Sequence, residues 1–309
     1  MACVLDATIG DPRWFPHPVR LIGMVIGWYE NKMRMVVHTR AGLRTAGIVL
    51  AIGLPALSYA IGWVAIVFAG WVDAGVKTIL MVLIAWTTLA ARDLVDHARL
   101  VVNALEGGSL DQAREAVSQI VGRDTDGLSG AEIVRATVET IAESAADGVI
   151  APLFYLALGG PPLALAYKAI NTLDSMIGHR DVHYRYFGWA SARLDDVANW
   201  VPARLTALLL ILAAAIWTRT MPSAWRIFCR DGSKHPSPNS GRPEAAMAGA
   251  LNVQLGGTNI YGGVAAKRPR LGDVMAPLVP QHVTTALYLM GIASVMAAAL
   301  AVGALVLRS

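Results

Sequence analysis

Long uncharged stretches alternate with polar segments along this chain. Residues 46–71 and 283–307 contain no charged side chain, and residues 74–89 contain only Lys77. The first two stretches are long enough to cross a hydrocarbon core of about 30 Å at about 1.5 Å per helical residue. A lysine can extend its ammonium group to the lipid boundary while its alkyl stem stays in apolar surroundings. The pattern predicts three transmembrane helices.

Two further apolar segments, 149–167 and 205–218, fit the pattern less well. The sequence Gly-Gly-Pro-Pro at 159–162 interrupts the first, and the second is short for a span. Each segment is expected to span the membrane, to kink or to re-enter. The fold class predicted is all-α: a polytopic integral membrane protein with three to five transmembrane helices plus cytoplasmic helical and loop segments.

Composition agrees with a membrane protein, since hydrophobic residues make up 55% of the chain and charged residues 16%. The net charge of +4 is explained by basic loops that flank the spans, so orientation accounts for it and no nucleic-acid partner is expected. By the positive-inside rule these loops are cytoplasmic, which predicts a multi-pass protein of the cell (inner) membrane with a cytoplasmic active site. Cys3 and Cys229 have no spacing typical of a disulfide framework or metal site.

One membrane-embedded domain is predicted over residues 1–309, with polar site segments at 6–44, 92–148, 168–204 and 222–282. Topology decides whether these segments meet. If both weaker apolar segments cross, residues 168–204 lie outside, away from Glu139. If neither crosses, all polar loops share the cytoplasm, and we favour this arrangement because it suits a single nucleotide-using site. A third arrangement is a cavity at the membrane face that polar groups reach from both sides.

An acidic stripe precedes the first ambiguous segment. On a helix, Glu139, Glu143 and Asp147 lie on one side together with Glu132 and Arg135. A stripe of charges is usually a solvated helix face, but like charges four residues apart repel unless something neutralises them. Because Asp147 also adjoins an apolar run, we favour a functional site in which a divalent cation neutralises the carboxylates.

A second polar cluster lies in residues 168–204. Carboxylate and amide oxygens are the ligands that Mg²⁺ takes, usually one or two carboxylates with substrate phosphates and water. The alternatives are structural: Lys168 extends to a membrane edge, Asp195 pairs with Arg193 on a helix surface, and Asp196 caps a helix. The candidates in this cluster are Lys168, Asn171, Asp174, Asp195, Asp196, Asn199 and Arg204.

Two proline-dense loops carry further candidates. Residues 6–20 are expected to form a structured loop before an interfacial helix at 21–29, and three prolines stiffen residues 231–244. Lysine and histidine side chains there suit phosphate binding or proton transfer, although a single histidine is more often structural. Residues 255–263 are rich in glycine but match no nucleotide-binding pattern. The candidates in the two loops are Asp11, Arg13, His17, Lys234, His235, Ser237, Asn239 and Glu244.

Five ordered blocks closely resemble the cobalamin-biosynthesis family called CobD or CbiB. They cover nearly the whole chain and together are far more specific than any single motif. The blocks are GDPRWFPHPVRLIG at 10–23, ESAADGVIAPLFY at 143–155, YKAINTLDSMIG at 167–178, FGWASARLDDVANWVPARLT at 187–206 and KHPSPNSGRPEAAMAGAL at 234–251.

The resemblance implies an integral membrane enzyme, adenosylcobinamide-phosphate synthase. Such an enzyme joins the amine of (R)-1-aminopropan-2-ol, or its O-phosphate, to a propionate carboxyl of adenosylcobyric acid. It uses ATP as co-substrate and Mg²⁺, and an acyl-phosphate is the expected intermediate because a carboxylate is a poor acyl donor. The implied partners are these substrates and membrane lipid, together with a possible second copy of the chain.

Residue roles under this resemblance are hypotheses. Mg²⁺ would be held by Glu139, Glu143, Asp147, Asp195 and Asp196. The catalytic set would be Glu143, Asp147, Asp195, Asp196, Lys168 and His235. Substrate and nucleotide would contact Asn171, Asp174, Asn199, Arg204, Lys234, Ser237, Asn239, Glu244, Asp11, Arg13 and His17.

Two departures from the family pattern and two rival functions complete the prediction. The family usually begins with a longer apolar segment than MACVL, and Arg242 occupies a position expected to be aromatic, which would alter contacts with a corrinoid. A membrane transporter with an intramembrane carboxylate site is the alternative; it predicts inverted internal symmetry, which the sequence does not show. A scaffold that had lost its chemistry predicts gaps in the polar set, and these positions are filled.

Overall fold

The computed structural model describes residues 1–12, 17–179 and 181–307. It is 74% helical and has one small two-stranded sheet, which confirms the predicted helical class. The helices are α1 Ala2–Ile9, α2 Pro18–Val36, α3 Arg40–Val72, α4 Ala74–Trp86, α5 Ala91–Glu106, α6 Leu110–Ser118, α7 Gly130–Ala145, α8 Ala151–Ile177, α9 Trp189–Ala198, α10 Trp200–Ile216, α11 Met221–Asp231, α12 Gly241–Leu251 and α13 Pro280–Val306. The strands are β1 Leu255–Tyr261 and β2 Val264–Leu271, and a π-helical turn, Ala146–Ile150, joins α7 to α8.

Four helical stretches in the described ranges are long and apolar enough to cross a membrane: Arg40–Val72, Ala74–Glu106, Gly130–Ile177 and Pro280–Val306. A fifth results if α9 and α10 are counted as one interrupted span. The prediction of three to five spans is confirmed. The third stretch contains residues 149–167, so this ambiguous segment has the length and composition of a span. Which loops share one side of the membrane stays a prediction.

The chain divides into two compact units. Unit 1 comprises Met1–Ala90, Ala151–Asn199 and Ala301–Ser309, and unit 2 comprises Ala91–Ile150 and Trp200–Leu300. The polar segment 168–204 therefore belongs mostly to unit 1, while the acidic helix α7 and the loop at 232–240 belong to unit 2. The single-domain assignment stays a prediction.

Unit 1 is built around the long apolar helices α3 and α8. Thr39 and Asp73 cap the helices that follow them, because each side chain accepts backbone N–H groups of the first turn. Helix α8 is broken where the sequence predicted, at Gly159 and Gly160; Gly160 has φ 71°, a left-handed value that a glycine adopts without strain. Buried aliphatic side chains fill the space between α2, α3 and α8, including Ile26, Leu50, Leu54, Leu165, Leu173 and Ile177.

Unit 2 places α7 against the helices α5, α6 and α12. A capping box starts α7: the Ser129 hydroxyl accepts the Glu132 N–H, and the Glu132 carboxylate accepts the Ser129 N–H. Small residues let α11 and α12 approach closely, since a Cβ added to Gly249 would lie 2.6 Å from the Ala224 Cα. This close packing fixes the position of the loop at 232–240, which connects the two helices.

Two local predictions are corrected, and a third segment gains a defined structure. Residues 6–20 are not a continuous loop, because α1 already includes Asp6, which is buried, and α2 begins at Pro18 after the cap residue His17. Proline is well tolerated in a first helical turn, so the stiff 231–244 loop likewise ends early and α12 starts at Gly241. Residues 255–263 contribute to an antiparallel hairpin whose turn consists of two left-handed glycines, with φ 55° and 77°.

Candidate functional site

The carboxylate of Glu139 accepts three hydrogen bonds in unit 2. It accepts hydrogen bonds from Arg123 Nη2, from Arg135 Nη1 at 3.2 Å and from the Gly256 N–H at 2.8 Å. Its side chain is only 10% exposed. Two guanidinium groups and a backbone N–H thus occupy both oxygens, and a metal ion would have to displace them.

The two arginines connect α7 to the hairpin. Arg123 Nη1 donates to Asn259 Oδ1 at 2.7 Å, while Arg135 donates to the Gly256 carbonyl at 2.7 Å and to the Thr258 carbonyl at 3.2 Å. Arg135 and Glu139 are both buried. The interpretation of the acidic stripe as a solvated helix face is therefore wrong for its central pair. We call this group of α7, the hairpin, the loop 232–240 and the start of α12 the unit 2 polar centre.

Glu143 lies at the exposed end of this centre. Its Oε1 accepts the Ser240 hydroxyl at 2.8 Å, and Ser237 Oγ in turn accepts the Asn239 and Ser240 N–H groups at 3.2 and 3.3 Å. No hydrogen bond from the described residues reaches Glu143 Oε2. This oxygen is the best placed in unit 2 to contact a bound cation or substrate.

Glu244 is the buried carboxyl of the same centre. Its side chain projects from the first turn of α12, the residue is 6% exposed, and within the described ranges no hydrogen bond to its carboxyl is formed. Burial raises the pKa of Glu244 well above its usual value, and the nearby carboxylates of Glu139 and Glu143 raise it further, against the opposing charges of Arg268 and Arg123. The group therefore holds a proton over a wider pH range than an exposed glutamate.

His235 is held in position from both sides. Its Nδ1 accepts the Ser237 N–H at 3.1 Å, and its Nε2 lies 2.9 Å from Arg268 Nη1. Arg268 also contacts the Tyr261 hydroxyl at 3.4 Å, across the hairpin. This geometry orients the imidazole at the edge of the polar centre, so His235 has at least a structural role.

Lys234 is engaged by Asp231, a residue that the sequence did not single out. Asp231 Oδ1 accepts Lys234 Nζ at 2.6 Å, and the same carboxylate accepts Arg230 and the Gly272 N–H at 2.8 Å. Burial opposes ionisation of Asp231, but these hydrogen bonds outweigh it, so the pKa of this carboxyl is lowered. To bind a phosphate, Lys234 would have to share its ammonium group with Asp231.

In unit 1 a chain of hydrogen bonds orients Asp195. Asn199 Nδ2 donates to both carboxylate oxygens of Asp195 at 3.0 Å, and Asn199 Oδ1 accepts the Tyr167 hydroxyl at 2.9 Å. Tyr155 stacks on Tyr167 with ring centroids 4.9 Å apart and donates to the Ala198 carbonyl. Asn199 is buried while Asp195 is half-buried, so the network presents the carboxylate at the edge of the unit.

Other predicted site residues of unit 1 lie on α8, on α9 and near the N-terminus. Arg193 Nη1 lies 3.4 Å from Asp196 Oδ2, so the exposed helix pair is formed with Asp196 and not, as the structural alternative had it, with Asp195. Lys168, Asn171 and Asp174 lie on α8 beyond its break. Near the N-terminus, His17 Nε2 is 3.3 Å from Asp11 Oδ1, and neither of these two buried atoms forms a hydrogen bond among the described residues. Arg13 lies outside the described residues.

The structure brings together only some of the predicted site residues. Unit 2 collects Glu139, Glu143, Lys234, His235, Ser237, Asn239 and Glu244, and it also contains Asp147 and Arg204; unit 1 contains Lys168, Asn171, Asp174, Asp195, Asp196 and Asn199. In the described part of the chain, no group of three or more His, Cys, Asp or Glu side chains is arranged to hold a metal ion. One site that uses both sets of carboxylates stays a prediction.

Sequence reasoning missed the cations that neutralise the polar centre. Arg123 lies in a short turn before α7, and Arg268 lies in the second strand of the hairpin. Arg123 pairs with Glu139, which is 16 residues away along the chain, and Arg268 lies beside His235, which is 33 residues away. The only available signal was the basic character of residues 267–270, which predicts a charged face but no partner.

The fold and the polar groups at its edges define a polytopic helical membrane protein. The family described as CobD/Cbib protein matches residues 1–290. The chain therefore belongs to the CobD/CbiB family.

Curated relatives cover most of the chain. A cobalamin biosynthesis protein CobD of Geobacter metallireducens is 50% identical over 90% of this chain and 86% of the relative. One from Klebsiella pneumoniae is 44% identical over 98% and 95%, and one from Listeria monocytogenes is 41% identical over 95% and 93%. No solved structure matches the chain.

Proposed function

We propose that this protein acts in cobalamin biosynthesis by forming the amide between adenosylcobyric acid and (R)-1-aminopropan-2-ol or its O-phosphate. The observation that carries the proposal is the family match over residues 1–290, together with relatives named cobalamin biosynthesis protein CobD that match this chain along most of their length. The polar centre of unit 2 supports it, because a buried carboxyl among arginines and an exposed carboxylate suit acyl transfer better than a purely structural role.

The proposed chemistry has two steps. A substrate carboxylate oxygen attacks the terminal phosphorus of ATP, ADP leaves, and an acyl-phosphate forms. The amine nitrogen then attacks the acyl carbon, inorganic phosphate leaves, and the nitrogen gives its proton to a base. Positioned cations lower the barrier of the first step because negative charge is redistributed over phosphoryl oxygens.

Glu244 is the proposed base of the second step. A carboxylate whose pKa is raised accepts a proton more readily than one of ordinary acidity. Its burial keeps bulk water from competing for the acyl-phosphate. His235 and Arg268 are proposed to position the loop at 232–240.

The carboxylates fit Mg²⁺ only in a limited way. A site made of all the predicted ligands does not fit, since Arg123, Arg135 and the Gly256 N–H already fill the Glu139 oxygens. A cation that arrives with ATP needs only one or two protein carboxylates. Glu143 Oε2 is the proposed first ligand and Asp147 the proposed second; when bound, the ion would neutralise phosphate charge.

The test is amide formation by the purified full-length protein in detergent. We expect mass spectrometry to detect the amide from adenosylcobyric acid and one of the two amines, dependent on ATP and Mg²⁺. Glu244→Gln should lower kcat about 100-fold or more, as expected for loss of a general base. Glu115→Gln, an exposed change on α6, is the control and should leave kcat unchanged. Absence of product with both amines would overturn the proposal.

A membrane transporter is the second candidate, favoured by the helix break at Gly159 and Gly160 inside an apolar stretch. In that case the purified protein would form no amide, and uptake of a corrinoid into proteoliposomes would require the intact break. Gly160→Ala, which strains a left-handed residue, would then reduce uptake.

A further inference from the structure

Two arginines of unit 2 lie on helices that pack against each other, and neither forms an ion pair with a carboxylate among the described residues. Arg204 belongs to the first turns of α10, and Arg242 to the first turn of α12. The two helices pack against each other, and the guanidinium groups lie within electrostatic range of each other. By contrast, Arg226 and Arg230 of the nearby helix α11 both form ion pairs with Asp273.

Both guanidinium groups are held in place by their surroundings. Arg204 stacks 4.0 Å from the centroid of the Trp200 ring, and its Nη1 donates to the Trp200 carbonyl at 2.6 Å. Arg242 lies 5.7 Å from the Phe228 ring centroid and packs at Gly232, where an added Cβ would lie 3.2 Å from its Cδ. Aromatic and backbone contacts therefore fix the two cations before any ligand arrives.

The Nε of Arg242 is buried and has no hydrogen-bond acceptor in the described part of the chain. A buried donor without an acceptor is destabilising, and the charge of a second guanidinium within electrostatic range adds repulsion. An anion between the two groups would remove both costs. Among anions, a phosphate group suits two planar guanidinium groups best, because each can donate two parallel hydrogen bonds to its oxygens.

We propose that Arg204 and Arg242 together bind a phosphate group. The inference deepens the proposed function by assigning a position to one phosphate, and it rests on that function only for identifying the phosphate as part of ATP or of the phosphorylated amine. A lipid headgroup offers the same chemistry, since α10 is apolar beyond its first turns.

The probe is inorganic pyrophosphate, titrated by calorimetry into full-length protein in lipid-free detergent, with no other substrate. We expect saturable binding that Arg242→Gln weakens about ten- to hundredfold, the effect of losing a charged hydrogen bond. Arg242→Lys should weaken it less, because it keeps the charge but loses the planar fork. Arg226→Gln, an exposed arginine of α11, is the matched control and should change affinity less than about twofold.

A second arm distinguishes the source of the phosphate. If pyrophosphate does not bind but phosphatidylglycerol in mixed micelles raises the unfolding temperature of the wild type and not of Arg242→Gln, a lipid occupies the site and the proposal stands. The proposal would be overturned if Arg242→Gln kept wild-type affinity for both probes. It would also be overturned if neither pyrophosphate nor phosphatidylglycerol bound to the wild type. Because neither arm needs amide formation, failure of the phosphate site is distinguishable from failure of the proposed reaction.

Discussion

The acidic residues of the two units are stabilised in different ways. In unit 2, Glu139 is 10% exposed and receives its partners from residues far along the chain, such as Arg123 and the Gly256 N–H of the hairpin. In unit 1, Asp195 and Asp196 are half-buried, and the contacts described for them are with residues three or four positions away, Asn199 just after α9 and Arg193 on α9.

The difference shows which carboxylates are structural and which are available. A buried carboxylate with two arginine partners cannot lose them without leaving uncompensated charge, so Glu139 links α7 to the hairpin. An exposed ion pair costs little to break, so the contact between Asp196 and Arg193 adds little to stability. Glu143 and Glu244 stand between these cases, because the former is exposed and the latter is buried without a hydrogen bond in the described ranges.

Of the three substitutions, Glu139→Gln should have the largest effect on the free energy of unfolding. It preserves shape but leaves Arg123 and Arg135 buried without a counter-charge, so we expect the free energy of unfolding to fall by about 3–5 kcal/mol. The measurement is denaturant unfolding in detergent, followed by tryptophan fluorescence. Glu115→Gln is the control on an exposed position of the same unit. A loss below about 1 kcal/mol would mean that Glu139 is not a structural anchor.

Glu244→Gln should have an intermediate effect that depends on pH. Because the pKa of Glu244 is raised by burial and by its neighbouring carboxylates, the folded state keeps a proton that the unfolded chain releases. This stabilisation is fully present below the unfolded pKa, about 4.3, and is lost as pH rises through the raised folded pKa. We expect the unfolding temperature of the wild type to fall from about pH 5 to about pH 8 more than that of Glu244→Gln.

The control for this comparison is again Glu115→Gln, which should keep the wild-type pH dependence. If the unfolding temperatures of Glu244→Gln and of the wild type change equally between the two pH values, the buried proton is held by a group other than Glu244.

Asp196→Asn should have the smallest effect on stability. Its partner Arg193 has a side chain 63% exposed, so the pair contributes about 0–1 kcal/mol. Amide formation is the second readout: if Asp196 contacts substrate or metal, kcat/KM falls although stability does not. Normal amide formation by Asp196→Asn and by Asp195→Asn would remove the unit 1 carboxylates from the reaction and leave unit 2 to carry it.

The apolar spans and the helix starts were predictable because their causes are local. A charge-free stretch of sufficient length, a capping residue such as Ser129 and a break at 159–162 each depend on neighbours in sequence. The hairpin was missed because its glycines predicted only backbone freedom, whereas two left-handed residues in succession also define a tight turn.

The partners of the charged residues were not predictable, since they depend on tertiary contacts. Nothing in the sequence around Arg123 shows that it pairs with Glu139, or that Arg268 lies beside His235. The sequence pattern identified Glu143 and Glu244 as candidates but gave no reason to distinguish an exposed carboxylate from a buried one. That distinction requires the packing of α12 against α7.

The π-helical turn Ala146–Ile150 has a consequence for the order of side chains along the helix. A wide turn accommodates one residue more than an α-helical turn, and one residue corresponds to a rotation of about 100° around the axis. The turn therefore interrupts the row of side chains that Glu139 and Glu143 begin on α7. Deleting one residue from it would restore an α-helical turn, so the extra residue itself ends that row.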